Sequence, residues 1–176
     1  MTISIDANIL GALWNSDEQM SSAACKCLEK LNSRESLMIC GPVYSELLAG
    51  PLREETALDI FLEDTGICVD WTMDEEIFRV AGRAFAVYAN RRRQMKVEPL
   101  RRILADFLIG AHAQVRGFKL LTIDCQHYQN YFPKLPLMDV IAWRCPGGED
   151  GGCLQEHRKG HGSTRALSKP YTIAQS

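Results

Sequence analysis

The sequence has no apolar run approaching the roughly 20 residues that cross a bilayer. Its opening, MTISIDANIL, has neither the basic start nor the cleavage site of a signal peptide. A membrane span and a secreted chain are therefore not expected, and the compartment expected is the cytoplasm. The 7 cysteines, Cys25, Cys27, Cys40, Cys68, Cys125, Cys145 and Cys153, are odd in number and lack the regular spacing of a small disulfide-stapled domain. They read as reduced thiols that mostly fill the core. The segment DANILG, after the first apolar alternation, lacks the Gly-rich turn that a dinucleotide site needs. No internal repeat is apparent.

A net charge of −2 is small, but it hides an asymmetry. Residues 1–78 carry 4 Lys/Arg against 15 Asp/Glu, and residues 79–144 carry 12 against 4. Within the second block, Arg79, Arg83, Arg91, Arg92, Arg93, Lys96, Arg101 and Arg102 face the single acid Glu98. Such a cluster suits a polyanion, and Arg91, Arg92, Arg93, Arg101 and Arg102 are the candidates for nucleic-acid contact. A solvated helix face paired with acidic helices explains the same charges, and composition leaves both readings open.

What is present is a chain of 176 residues, 46% hydrophobic and 24% charged, which is enough for one globular domain with a buried core. TISID predicts a first strand over 2–6, and ANILGALW a helix. Asp17 and Glu18 open a second helix, with Met20, Ala23, Ala24, Cys27, Leu28 and Leu31 as its apolar stripe. LMIC is the second strand, and Gly41-Pro42 leads into the short helix VYSELLAG, stopped by Gly50-Pro51. A helix over 53–64, a strand ICVDW and a long helix over 74–93 follow, the last with Ile77, Phe78, Ala81, Phe85 and Tyr88 inward. LRRILADFLIGAHAQVRG is a helix with a Gly117 stop, KLLTID a strand, HYQNYF a short aromatic helix and LMDVIAW a last strand. The alternation predicts an α/β fold: a mostly parallel central sheet flanked by helices in three layers. Ligands in such sheets bind beyond the carboxyl ends of the strands, where Asp6 and Asp124 fall.

Four acids stand in apolar surroundings: Asp6 ending a strand, Glu46 within VYSELLAG, Asp106 within ILADFLIGAHA, and Asp124 ending LLTID. A carboxylate in such a place is paired, hydrogen-bonded or bound to a cation, because burying it alone is costly. Each has a plain structural reading too. Asp6 and Asp124 suit helix N-caps, Glu46 an exposed helix position, and Asp106 a surface acid near Arg102. Taken together they converge on one edge of a parallel sheet. Oxygen-only ligands favour Mg²⁺ or Mn²⁺, which points to phosphoryl chemistry in which no side-chain nucleophile is needed.

SIDANIL, VYSELLAG, RRILADFLIGAHA and LLTIDCQHYQNYFPKL, in this order, resemble the successive motifs of VapC-type PIN domains over about residues 2–142. The resemblance implies a Mg²⁺- or Mn²⁺-dependent endoribonuclease, the toxin of a toxin-antitoxin pair, with Asp6, Glu46, Asp106 and Asp124 as catalytic and metal-binding acids. It also implies that Thr122 and Asn8 support the site, that the substrate is RNA, and that the partners are a cognate antitoxin and a second copy in a homodimer. The antitoxin's groove could be lined by Leu10, Leu13, Trp14, Leu47, Leu48 and Leu52, but the same residues read more readily as core. The domain is expected over 1–143, with 144–176 a disordered tail: it is Gly-rich and has no apolar period. Cys145, Cys153, His157 and His161 in that tail offer a zinc site, but their spacing C-x7-C-x3-H-x3-H is not a usual finger pattern, so a disordered extension that helps contact nucleic acid through Arg158, Lys159 and Arg165 is the reading preferred there. A haloacid-dehalogenase-like site wants an acid where Asn8 stands, and a receiver wants an acidic pair at the first strand. The alternative from another class is a catalytically silent PIN fold that binds RNA or protein without cutting.

Overall fold

The computed structural model describes residues 1–14, 17–50, 54–94 and 104–140. Expectations for Arg101, Arg102, Leu52, the end of the last strand and the 144–176 tail lie outside these residues.

Five strands form one sheet: β1 (Thr2–Ile5), β2 (Ser36–Cys40), β3 (Cys68–Asp70), β4 (Lys119–Thr122) and β5 (Leu137–Asp139). Their order is β3-β2-β1-β4-β5, and every neighbouring pair is parallel. Parallel neighbours need long crossovers, which seven helices supply: α1 (Ala7–Leu13), α2 (Glu18–Asn32), α3 (Gly41–Leu48), α4 (Glu55–Thr65), α5 (Glu75–Gln94), α6 (Leu104–Arg116) and α7 (Cys125–Tyr131). α1 packs along α2, and α5 along α6. Sheets covered in this way have strands that are apolar throughout, as Ile3, Ile5, Leu37, Ile39, Leu120 and Leu121 are, all buried.

Local chemistry sets the ends of the elements. Asp17 caps α2 by accepting from the Gln19 and Met20 amides, both at 3.1 Å. Pro42 stands in the first turn of α3, where no amide hydrogen is needed. Gly66 and Gly117, both at φ 68°, end α4 and α6 in the left-handed conformation that a side chain disfavours.

Two expectations need correction and one choice is settled. Phe78 was expected to face inward but is 53% exposed. The buried stripe of α5 is Ile77, Ala81, Ala84 and Tyr88, and the residue after Ile77 is turned about 100° away from it. The apolar set weighed as a groove is core, the reading preferred for it: Leu10 and Leu47 are buried, Leu13, Trp14 and Leu48 pack against them, and Trp14 meets Phe61 edge-on at 4.8 Å. Of the described cysteines, Cys27 and Cys40 fill the core, whereas Cys68 is exposed.

Candidate active site

The first two connections carry the chain from β1 outward to β2 and β3, and the third brings it back to the far side of β1. The carboxyl ends of β1 and β4 are therefore the point where strand order reverses, the crevice in which open parallel sheets bind ligands. Asp6 follows β1 directly, and Asp124 lies two residues past β4. Four of the five strands, all but β2, end on or are followed within two residues by an acid: Asp6, Asp70, Asp124 and Asp139. Cys40 pairs with Asp70 and Thr122 with Asp139. Continuing the register of β1 with β2 and β4 puts Asp6 between Cys40 and Thr122 in the same rank.

Asp6 is buried, 4% exposed, and two side chains hold it. Thr122 Oγ1 donates to its Oδ2 at 2.7 Å, and Asn8 Nδ2 donates to the same oxygen at 2.7 Å. Asn8 also donates to Thr122 Oγ1 at 3.1 Å and accepts from the Ile123 amide at 3.2 Å. Thr122 Oγ1 accepts from the Asp124 amide at 3.1 Å as well. A hydroxyl has one proton to give and two lone pairs to fill, so this one is fully used. Asn8 and Thr122 thus tie the end of β1 to the start of the β4–α7 turn.

Burial pushes the Asp6 carboxyl up to about 6, with the negative charge of Asp106 adding to the rise and the Thr122 hydroxyl opposing it. Burial, then the charges of Asp106 and Asp6, push the Glu46 carboxyl up to about 7. Glu46 on α3 and Asp106 in the first turn of α6 are therefore brought to Asp6 by elements far apart in sequence, and the three acids repel one another. Asp124 accepts from the His127 amide at 3.2 Å, so its N-cap reading holds. Asp6 precedes α1 without making a side-chain cap.

Tyr128 and Asp139 were missed in the sequence. Tyr128 is buried, its hydroxyl has no hydrogen bond of full geometry among the described residues, and it lies within the influence of Asp6, Asp106 and Glu46, whose charges with burial hold its proton well above the usual range. Asp139 ends β5 as Asp6 follows β1, and its charge acts on Cys125. The signal for Asp139 was the acid at the end of a strand; nothing in HYQNYF marks the Tyr128 hydroxyl.

Asp70 shares the rank but not the environment. Burial pushes its carboxyl up, and hydrogen bonds from the Thr72 backbone amide and from His112 overcome this and hold it below the usual range. His112 Nε2 lies 3.1 Å and Arg116 Nε 3.3 Å from Asp70 Oδ2, while Arg116 also reaches Asp74 at 3.2 Å. This acid is committed to joining α6 to the loop after β3.

The chemistry of the donors fits a hard divalent cation: oxygen ligands only, and acids whose charged forms are disfavoured until positive charge arrives. Among the described residues no group of three or more His, Cys, Asp or Glu side chains is gathered so as to hold a metal ion. The basic run Arg91, Arg92 and Arg93 forms the last turn of α5, with Arg91 lying 5.4 Å from the centre of the Tyr131 ring on α7. Since α7 has seven residues, that contact is about 10 Å along the helix from Asp124.

The PIN domain family model matches residues 3–133, and the chain belongs to that family. VapBC-1 from nontypeable Haemophilus influenzae is similar in structure, with a TM-score of 0.57 at 20% identity over 80% of this chain and 99% of that one. VapBC2 from Rickettsia felis, bound to a DNA fragment from their promoter, gives 0.57 at 19% identity over 79% and 98%. FitAcB from Neisseria gonorrhoeae gives 0.53 at 15% identity over 79% and 98%. Among curated proteins none matches the sequence.

Proposed function

We propose that the chain is a metal-dependent endoribonuclease of the VapC type, the toxin of a toxin-antitoxin pair, acting on RNA in the cytoplasm. One observation carries the reading: near the β1/β4 switch point burial disfavours the charged forms of Asp6 and Glu46, and the charge of Asp106 bears on both. With Asp124 they would hold Mg²⁺ or Mn²⁺. When bound, the cation supplies Lewis-acid charge to the scissile phosphodiester and to attacking water. Asn8 and Thr122 fix the Asp6 carboxylate in orientation, and the β4–α7 turn, held through the same hydroxyl, positions Asp124. Arg91, Arg92 and Arg93 would meet backbone phosphates beside this crevice, with Arg101 and Arg102 as further candidates from the sequence. Similarity to VapBC and FitAcB assemblies supports a small antitoxin protein as partner, and the family resemblance a homodimer. Among the described residues no helix is long and apolar enough to cross a membrane.

The test is cleavage of labelled total RNA by purified, antitoxin-free protein with Mg²⁺ or Mn²⁺, beside EDTA and an Asp6→Asn, Asp106→Asn double variant. Metal-dependent cuts absent from the variant are expected. Folded protein that cuts no RNA with either metal would instead favour the silent binding module.

A further inference from the structure

Trp71 is the most exposed aromatic residue among the described residues, at 63%. Single exposed apolar side chains are ordinary, but this one is held rigidly and stands beside the candidate site. It follows Asp70, which ends β3 in the same cross-sheet rank as Asp6. Two strand spacings separate β3 from β1, so Asp70 is about 10 Å from Asp6 along the edge that carries the acids. At roughly 3.4 Å per stacked nucleotide, that is a reach of about two or three nucleotides.

The ring is held firmly. Tyr44 meets it edge-on, with centroids 4.9 Å apart and planes at 64°. Tyr44 is itself fixed by donating from its hydroxyl to Asp59 Oδ1 at 2.8 Å. On another side the indole rests on Gly41, the first residue of α3, where a Cβ would lie 3.6 Å from its Cε3. Part of the negative charge around it is offset: Arg116 binds both Asp70 and Asp74, and Arg79 binds Glu75. Its sequence neighbours Cys68, Asp70 and Thr72 are small or polar, and this lone ring is not the contiguous apolar patch of some hundreds of Å² that marks a protein-docking surface. A single fixed aromatic face is what a splayed base requires.

We propose that Trp71 is a stacking platform for an unpaired RNA base a few nucleotides from the scissile bond. This deepens the endoribonuclease reading of the same sheet edge and rests on it for the identity of the ligand.

The experiment compares wild type, Trp71→Phe and Trp71→Ala on an oligoribonucleotide that wild type cuts, and on the same oligomer carrying an abasic position at each site in turn. Trp71→Ala is expected to raise KM roughly ten- to a hundredfold at nearly unchanged kcat, with Trp71→Phe close to wild type. One abasic position should impose the same loss on wild type and none on Trp71→Ala, which a merely structural role would not produce. An unchanged KM for Trp71→Ala in a protein that cuts RNA overturns the platform and leaves the ring to a protein contact. If wild type cuts nothing, oligomer binding is read from quenching of the emission that Trp71→Phe removes. Quenching then keeps the platform while the nuclease reading fails, and its absence overturns the platform too.

Discussion

Thr122 stands opposite Asp6 across the β1/β4 seam, and its hydroxyl donates to the Asp6 carboxylate at 2.7 Å. That bond favours the charged form of Asp6 against the burial that opposes it. Removing it should let the carboxyl rise further above about 6. A hydrogen bond to a charged group contributes about 1.5–3 kcal/mol, so Thr122→Val is expected to lower kcat/KM by about tenfold or more at neutral pH. The acid limb of the pH–rate profile should move to higher pH, because the site needs Asp6 ionised. Thr122→Ser keeps the donor and should restore the limb. A Thr122→Val profile that overlays wild type would mean the hydroxyl only packs.

Asp6 should also govern metal-free stability. Its carboxyl lies at about 6 in the fold against an ordinary 3.8, so its ionised form is disfavoured by folding. The penalty is absent below about pH 4, grows as pH rises to about 6, and persists above at roughly 3 kcal/mol. Asp6→Asn keeps an acceptor for Thr122 and Asn8 but not the charge. Without metal it is expected to melt several degrees above wild type at pH 8 and level with it at pH 4. Mn²⁺ should raise wild-type Tm more at pH 8 than at pH 5, where protons compete for the acids, and raise Asp6→Asn little. A metal-free Asp6→Asn that melts below wild type at pH 8 would refute the repelling cluster.

Much of this was legible because strand and helix periods, Gly117 and the Gly41-Pro42 start are local signals. Asp6, Glu46 and Asp106 were readable as acids interrupting apolar runs, whereas Asn8 and Thr122 came only from the family resemblance. What could not be read was which strand-end acids are spent elsewhere. Asp70 and Asp6 look alike in VD and ID, and only the return of α6 with His112 and Arg116 commits Asp70 to an ion pair. Phe78 was misassigned because adjacent apolar residues Ile77 and Phe78 leave the helix phase ambiguous until α6 docks on one side. The Tyr128 hydroxyl is invisible in an aromatic run, since its meaning comes from acids on three other segments.

Gly110 packs α6 onto the ring of Phe132. A Cβ there would come within 2.6 Å of Phe132 Cε2 and 2.8 Å of Cδ2, and that ring is buried with no room to swing away. Gly110→Ala would gain about 1 kcal/mol of helix propensity. Overpacking a closed core costs about 1–3 kcal/mol, so the balance should be destabilising. Because Asp106 lies one turn earlier on the same helix, a displaced α6 should also lower kcat. A rise in Tm for Gly110→Ala would show that Phe132 yields easily.

Arg91, Arg92 and Arg93 have a structural explanation that must be separated from nucleic-acid contact: cations in the last turn of α5 oppose its dipole, and Arg91 lies over Tyr131. Those effects are small, about 0.3–1 kcal/mol per charge, and they would appear as a lowered Tm in the triple alanine variant. Phosphate contact predicts something that stability does not. Each lost contact on a single strand should flatten the dependence of log affinity on log salt by about 0.7, so three lost contacts should flatten it by about two. Binding should weaken alike for RNAs of different sequence, because a phosphate carries no base identity. An unchanged salt slope with a small loss of Tm would return all three arginines to the helix end alone.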